Sequence, residues 1–161
     1  MTGNPKLLRE SQPILIVEDS QDDFEATRRA FHKANLRNAI VHALSGEEAL
    51  ACLRAPGAAR PGLILLDLNM PGQDGRKTLE IIKRSSELKK IPVVILTTSD
   101  DERDVKCCYE LGANTYIQKP VDFDGLISAI RQLKEYWFEI ALLPKGCEKG
   151  CEKGGEGDRA G

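Results

Sequence analysis

The chain has 161 residues, 41% of them hydrophobic and 30% charged, with a formal net charge of −2. That length suits one domain with a genuine core, and the near-neutral balance argues against a nucleic-acid footprint or an electrostatic membrane partner. Met1 to Pro13 has no apolar signal core and no run of 18 apolar residues occurs, so a cytoplasmic protein is expected.

Residues 1–12 are polar and read as a loose arm. Ile14-Leu15-Ile16-Val17 is the first buried-strand candidate and runs into the acidic pair Glu18-Asp19. Ser20 followed by Asp23 has the spacing of a capping box, and the helix after it carries Phe24, Thr27, Phe31 and Ala34 on one face. Ala39 to Ala43 reads as a second strand. Ser45 and Glu48 repeat the cap signal, and Ala49, Leu50 and Leu53 give the second helix its apolar side. Arg54 to Gly62, with two prolines and two glycines, is a loop.

Leu63-Ile64-Leu65-Leu66 is the strongest strand signal, because four apolar residues lead directly into Asp67 before Pro71-Gly72 breaks the run. Such a continuous run suits a strand covered on both faces of a parallel sheet. Gly75 to Ser85 is predicted helical with Leu79 and Ile82 inward. Ile91 to Leu96 is a fourth strand, with Pro92 tolerated at its start. Asp100 to Leu111 is a weaker helix offering Val105 and Cys108, stopped by Gly112. Thr115 to Gln118 is the fifth strand, and a last helix from Asp122 shows Phe123, Leu126, Ile130, Leu133 and Trp137 at helical spacing. Five strands alternating with five helices predict an α/β fold with a doubly wound parallel sheet.

The expected domain spans residues 13–144, and residues 145–161 form a tail with a Lys-Gly-Cys-Glu repeat and nothing apolar to bury. Cys147 and Cys151 lack the further Cys or His pair that a zinc site needs. Three of the five cysteines, Cys52, Cys107 and Cys108, fall in predicted helices. An odd count so distributed indicates reduced thiols rather than a disulfide framework.

In a parallel sheet the C-terminal strand ends share one edge, where open α/β sheets place their crevice. That edge would gather Glu18, Asp19, Asp67, Thr97 and Lys119. Clustered carboxylates repel one another and either take up protons or bind a cation. An all-oxygen set favours a hard ion such as Mg²⁺. A carboxylate is also a competent nucleophile for phosphoryl transfer, with an ammonium and a hydroxyl placed to steady the phosphoryl oxygens. Each residue alone has a plainer reading: Asp67 as a cap or loop solvator, Glu18-Asp19 as a precap, Thr97 as a strand threonine, Lys119 as a solvated charge. Four strand ends contributing at once make coincidence a poor account.

The residues Glu18-Asp19, Leu65-Leu66-Asp67-Leu68-Asn69-Met70-Pro71 with Asp74-Gly75, Thr97-Thr98 and Lys119-Pro120 resemble the receiver domain of two-component response regulators. The resemblance covers roughly residues 13–140, with spacings of 30 from Asp67 to Thr97 and 22 from Thr97 to Lys119. It implies a flavodoxin-like (βα)5 fold with Asp67 as phosphoacceptor. Glu18, Asp19, Asp67 and the Asn69 carbonyl would hold Mg²⁺, and Lys119 would pair with the phosphate. Thr97 and Tyr116 would be the switch residues, and Asn69 and Ser99 would tune how long the phosphoryl group survives. The protein would be a phosphoacceptor with slow self-hydrolysis rather than an enzyme. Glu18 replaces the family's commoner aspartate at the first acidic position.

A narrower resemblance links the opening Ile14 to Asp23, the long loop before strand three and the ending Tyr136 to Pro144 to single-domain regulators paired with bacterial phytochrome kinases. It implies a sensor histidine kinase as partner. Tyr136 to Leu143 is apolar at seven of eight positions, more than one stripe needs. Tyr136, Trp137, Phe138 and Ile140 are therefore candidates for a homodimer interface through the last helix, the alternative being that Trp137 and Phe138 fold back on the domain core. No DNA-binding domain is expected after Pro144, so output would run through protein contacts. Two other functions compete. A haloacid-dehalogenase-type phosphatase would need an acid two residues after Asp67, where Asn69 stands and cannot deliver a proton. A non-phosphorylated binding module is opposed by the complete set Glu18, Asp19, Asp67, Thr97 and Lys119.

Overall fold

The computed structural model describes residues 12–70 and 74–141. The expected arm over residues 1–11, the Pro71-Gly72 turn and the tail with Cys147 and Cys151 lie outside the described residues. Five parallel strands form one sheet: β1 (Ile14–Val17), β2 (Ile40–Ala43), β3 (Leu63–Leu66), β4 (Val93–Thr97) and β5 (Thr115–Gln118), in the order β2-β1-β3-β4-β5. Five helices connect and close them: α1 (Gln21–Lys33), α2 (Gly46–Arg54), α3 (Gly75–Arg84), α4 (Glu102–Glu110) and α5 (Phe123–Lys134). The fold is the expected doubly wound, flavodoxin-like α/β sheet.

Burial follows position in the sheet. The three inner strands β1, β3 and β4 are buried at every residue, whereas the edge strands β2 and β5 are mostly half-exposed. Alternate residues supply two cores. Leu15, Val17, Ile64, Leu66, Val93 and Ile95 pack with Leu50, Leu79, Ile82 and Cys108 of α2, α3 and α4. Ile14, Ile16, Leu63, Leu65, Val94 and Leu96 face Phe24, Phe31, Leu126, Ile130 and Leu133 of α1 and α5. Truncating any of the fully buried leucines or isoleucines to alanine removes ~2–5 kcal/mol, since such interiors relax only partly.

Several expectations shift. β4 begins at Val93, two residues later than predicted, because Pro92 has no N–H for the ladder; its carbonyl instead accepts from Ile64 N at 3.0 Å. It also runs one residue further, so Thr97 is its last residue. α4 begins at Glu102, with Asp101 as its cap, and only Cys108 of the two predicted core residues is fully buried, Val105 being half-buried. Phe123, predicted inward on the last helix, is 37% exposed with the Arg29 guanidinium 5.7 Å from its ring centre. The cap at Ser20 is one-sided: its hydroxyl accepts from Asp23 N at 3.2 Å, but Asp23 does not return the bond, and Ser20 N donates to Glu18 Oε1.

The last helix does not continue as α. Residues Glu135–Ile140 form a π-helical turn, closed by Ala141 N donating to the Tyr136 carbonyl at 2.7 Å. Trp137 is 6% exposed and belongs to the α1/α5 core, and Phe138 packs partly against it. This corrects the expected interface: Trp137 belongs to the domain's own interior, and Tyr136 and Ile140, 51% and 67% exposed, are what remains outward.

Candidate functional site

The strand order brings β1, β3 and β4 side by side, so their C-terminal ends open at one edge with β5 next in line. Asp67 is fixed one residue beyond β3, where its N–H donates to the Val17 carbonyl at 3.1 Å. Its Oδ1 accepts from Asn69 N at 3.1 Å. Glu18 is held in the same way beyond β1, its N–H donating to the Ala43 carbonyl at 3.0 Å. One carboxylate oxygen each from Glu18, Asp19 and Asp67 lies within 4.8 Å of the others. Asp19 is the most exposed of the three, and Glu18 and Asp67 are 4% and 7% exposed.

Lys119 reaches this cluster from the end of β5. Its Nζ lies 3.1 Å from Glu18 Oε2, 3.4 Å from Asp23 Oδ2 and 3.8 Å from Asp67 Oδ2. Burial opposes the Lys119 ammonium, but the carboxylates of Glu18, Asp67 and Asp23 outweigh it and raise its pKa above the ordinary lysine value. For Glu18 the balance runs the other way. Burial first, then the hydrogen bond and charge of Asp67, push its carboxyl up to about 7, against the opposing pull of Lys119 and the Ser20 N–H. A cluster that cannot hold all its charges with one ammonium has room for a second cation. Its all-oxygen donor set fits a hard divalent ion.

Thr97 is fully buried, and Lys119 N donates to its carbonyl at 2.6 Å. The Thr97 hydroxyl accepts from Asn69 Nδ2 at 3.2 Å, and Thr98 Oγ1 lies 3.3 Å from the same nitrogen. Tyr116 packs against the α2/α3 core and donates its hydroxyl to the Ser99 carbonyl at 2.9 Å. The Ser99 hydroxyl in turn donates to Asp104 Oδ2 at 2.6 Å. Asp104 is paired with Arg76 of α3, which also bridges Asp74 at 2.9 Å. Those two partners hold the Asp104 carboxyl below the usual range, the Ser99 hydrogen bond contributing most.

Glu18, Asp19, Asp67, Thr97 and Lys119 thus converge at one edge, with Asn69, Ser99 and Tyr116 in the loops and strand beside them. Sequence reasoning did not single out Asp23, Arg76, Asp104 or His42. Asp23 was legible only as a cap residue. The contact of His42 with Glu18, across 24 residues of chain, has no local signal. No helix among the described residues is long and apolar enough to cross a membrane.

A parallel (βα)5 sheet with an acid-lined edge, an apposed lysine and a buried threonine has the arrangement of a receiver domain. The chain belongs to the response regulator receiver domain family, whose model matches residues 14–131. It is 39% identical over 142 residues to the response regulator Rcp1 of Synechocystis sp., a match covering 84% of this chain and 97% of that one. Among solved structures it is similar to the phosphorylated cyanobacterial phytochrome response regulator RcpA, with a TM-score of 0.78, 38% identity and coverage of 84% and 99%. It is likewise similar to the Mn²⁺-bound form of Rcp1, with a TM-score of 0.76, 38% identity and coverage of 83% and 99%.

Proposed function

We propose that this chain accepts a phosphoryl group on Asp67 from a sensor histidine kinase and passes the signal on through protein contacts. The observation carrying this reading is the convergence of Glu18, Asp19 and Asp67 within 4.8 Å at the end of inner strands, with Lys119 Nζ 3.8 Å from Asp67. An Asp67 carboxylate oxygen attacks phosphorus. The P–N bond to the donor imidazole breaks, its electron pair leaves with the nitrogen, and the nitrogen takes up a proton. The Lys119 ammonium, already near Asp67, offsets the charge on the transferred oxygens.

Glu18, Asp19, Asp67 and the Asn69 carbonyl would hold Mg²⁺, which when bound supplies positive charge to phosphoryl oxygens. Thr97 and Tyr116 would form the switch, the first through its hydroxyl and the second through its bond to the Ser99 carbonyl. Asn69 and Ser99 would tune the slow self-hydrolysis, neither being a strong base. The similarity to regulators named for phytochromes supports a phytochrome kinase as donor. A homodimer would use the end of the last helix, on the exposed Tyr136 and Ile140.

The test is intact mass after incubation with phosphoramidate and Mg²⁺. One added phosphoryl group, lost in Asp67→Asn and in EDTA, is expected. No adduct with the wild-type chain would refute the reading and favour a non-phosphorylated module.

A further inference from the structure

The peptide joining the two acidic residues of the pocket has an unusual support. β1 and β2 pair in parallel register from Ile14↔Ile40 to Val17↔Ala43, and the ladder reaches one rung further when Glu18 N donates to the Ala43 carbonyl. By the two-residue period of a parallel ladder, the Glu18 carbonyl should next accept from the backbone of residue 45. The paired register stops at Val17↔Ala43, and the chain turns there into α2, with the Ser45 hydroxyl accepting from Glu48 N as its cap and Leu44 N donating to Glu48 Oε2. A carbonyl in this half-closed site cannot be left without a donor at no cost.

The imidazole of His42 fills the place. Its Nε2 lies 2.7 Å from the Glu18 carbonyl oxygen. A carbonyl only accepts, so Nε2 carries the hydrogen. The ring is held in plane by stacking on Phe24, with centroids 3.6 Å apart and planes inclined by 2°. Phe24 is itself 8% exposed and locked into the α1/α5 core. The side chain of β2 therefore substitutes for a missing main-chain rung, and the bond it makes fixes the plane of the Glu18–Asp19 peptide. That plane sets how the two carboxylates are disposed toward each other.

We propose that His42, backed by Phe24, is a positioning residue for the divalent-cation site, acting through the Glu18 carbonyl rather than by touching the cation. This rests on the reading of Glu18, Asp19 and Asp67 as the cation ligands. Partners that orient ligating groups in this way typically control metal affinity by 10- to 100-fold. Replacing His42 by alanine frees the peptide and leaves the acids to be ordered by the ion itself. Glutamine, with an N–H donor at comparable reach, restores the bond without the stack.

The experiment is a Mg²⁺ titration of the full chain by calorimetry, with the Mg²⁺-dependent thermal midpoint alongside, for wild type, His42→Ala and His42→Gln. Phosphoramidate uptake as a function of Mg²⁺ is a second readout. For His42→Ala the half-saturating Mg²⁺ should rise about tenfold, more than the plateau rate of uptake falls, and His42→Gln should recover most of the affinity. Wild-type Mg²⁺ affinity in His42→Ala would overturn the proposal, as would equal losses in both variants, which would reduce His42 to packing. A wild-type chain that binds no Mg²⁺ would sink the ligand assignment and this inference together. A binding wild type with indifferent variants sinks this inference alone.

Discussion

Gly75 opens α3 directly against the chain that carries Asp67. A Cβ at this position would lie 2.4 Å from the Asp67 carbonyl oxygen, 2.8 Å from Leu68 Cα and 3.2 Å from the Asp67 carbonyl carbon. All three are backbone atoms, so no side chain can swing away. Relief to even 3.0 Å demands a shift of at least 0.6 Å between α3 and the end of β3. Two effects of Gly75→Ala then oppose each other. Alanine favours a helix over glycine by about 1 kcal/mol, while forcing extra volume into a packed site costs ~1–3 kcal/mol. The net loss of stability should be small, roughly 0–2 kcal/mol, which lowers the melting midpoint by up to about 4–8 °C. The chemistry suffers more, because the displaced atoms are the backbone that carries Asp67, the proposed phosphoacceptor, and misplacement near 1 Å can cost on the order of 100-fold in rate. The expected outcome is a 10- to 100-fold slower gain of phosphoryl mass from phosphoramidate, from a chain that still unfolds cooperatively in urea. Uptake at the wild-type rate, or a raised melting midpoint, would refute the close approach of α3 to Asp67.

Three further outcomes are expected. The Glu18 carboxyl is pushed up to about 7 from an ordinary 4.5, so its contribution to stability is complete below pH 4.5 and is lost as pH rises through about 7. In EDTA the melting midpoint should fall across that window, Glu18→Gln should flatten the fall, and Mg²⁺ should offset it by about 2.7 kcal/mol at 100 times its Kd; a midpoint in EDTA that rises with pH would contradict the assignment. At the other end of the molecule, Trp137→Ala should cost ~3–5 kcal/mol by emptying the core. Ile140→Glu should leave the monomer folded with a cooperative melt and convert the proposed dimer to monomer in sedimentation, and a dimer that survives it would exclude this face.

The sheet was legible because its signal is local. Ile14 to Val17, Leu63 to Leu66 and Thr115 to Gln118 each announce themselves by composition and bounding turns, and parallel topology alone then places Glu18, Asp19, Asp67, Thr97 and Lys119 at one edge. What sequence did not reveal depends on distances set only after folding. Asp23 reads as a cap residue until β5 brings Lys119 to 3.4 Å from it. Arg76 and Asp104 sit on different helices, and their pairing is visible only once α3 and α4 lie side by side. Phe123 fits an inward helical face by spacing, yet as the first residue of α5 it stays 37% exposed, with the Arg29 guanidinium over its ring.

The π turn at the end of the last helix has a consequence of phase. In an α-helix successive residues turn by about 100°, so Ile140, three places after Trp137, would lie only about 60° from it and share its buried side. The wider turn over Glu135–Ile140 carries Ile140 out to 67% exposure while Trp137 stays inside. The outward position of Ile140 therefore comes from a slip of helical phase, acting on a segment whose composition leaves apolar residues on more than one side. Removing a single residue after Trp137 would restore ordinary periodicity, rotate everything beyond it by about a quarter of a turn, and bring Ile140 back toward the side of Trp137 while leaving Tyr136 in place.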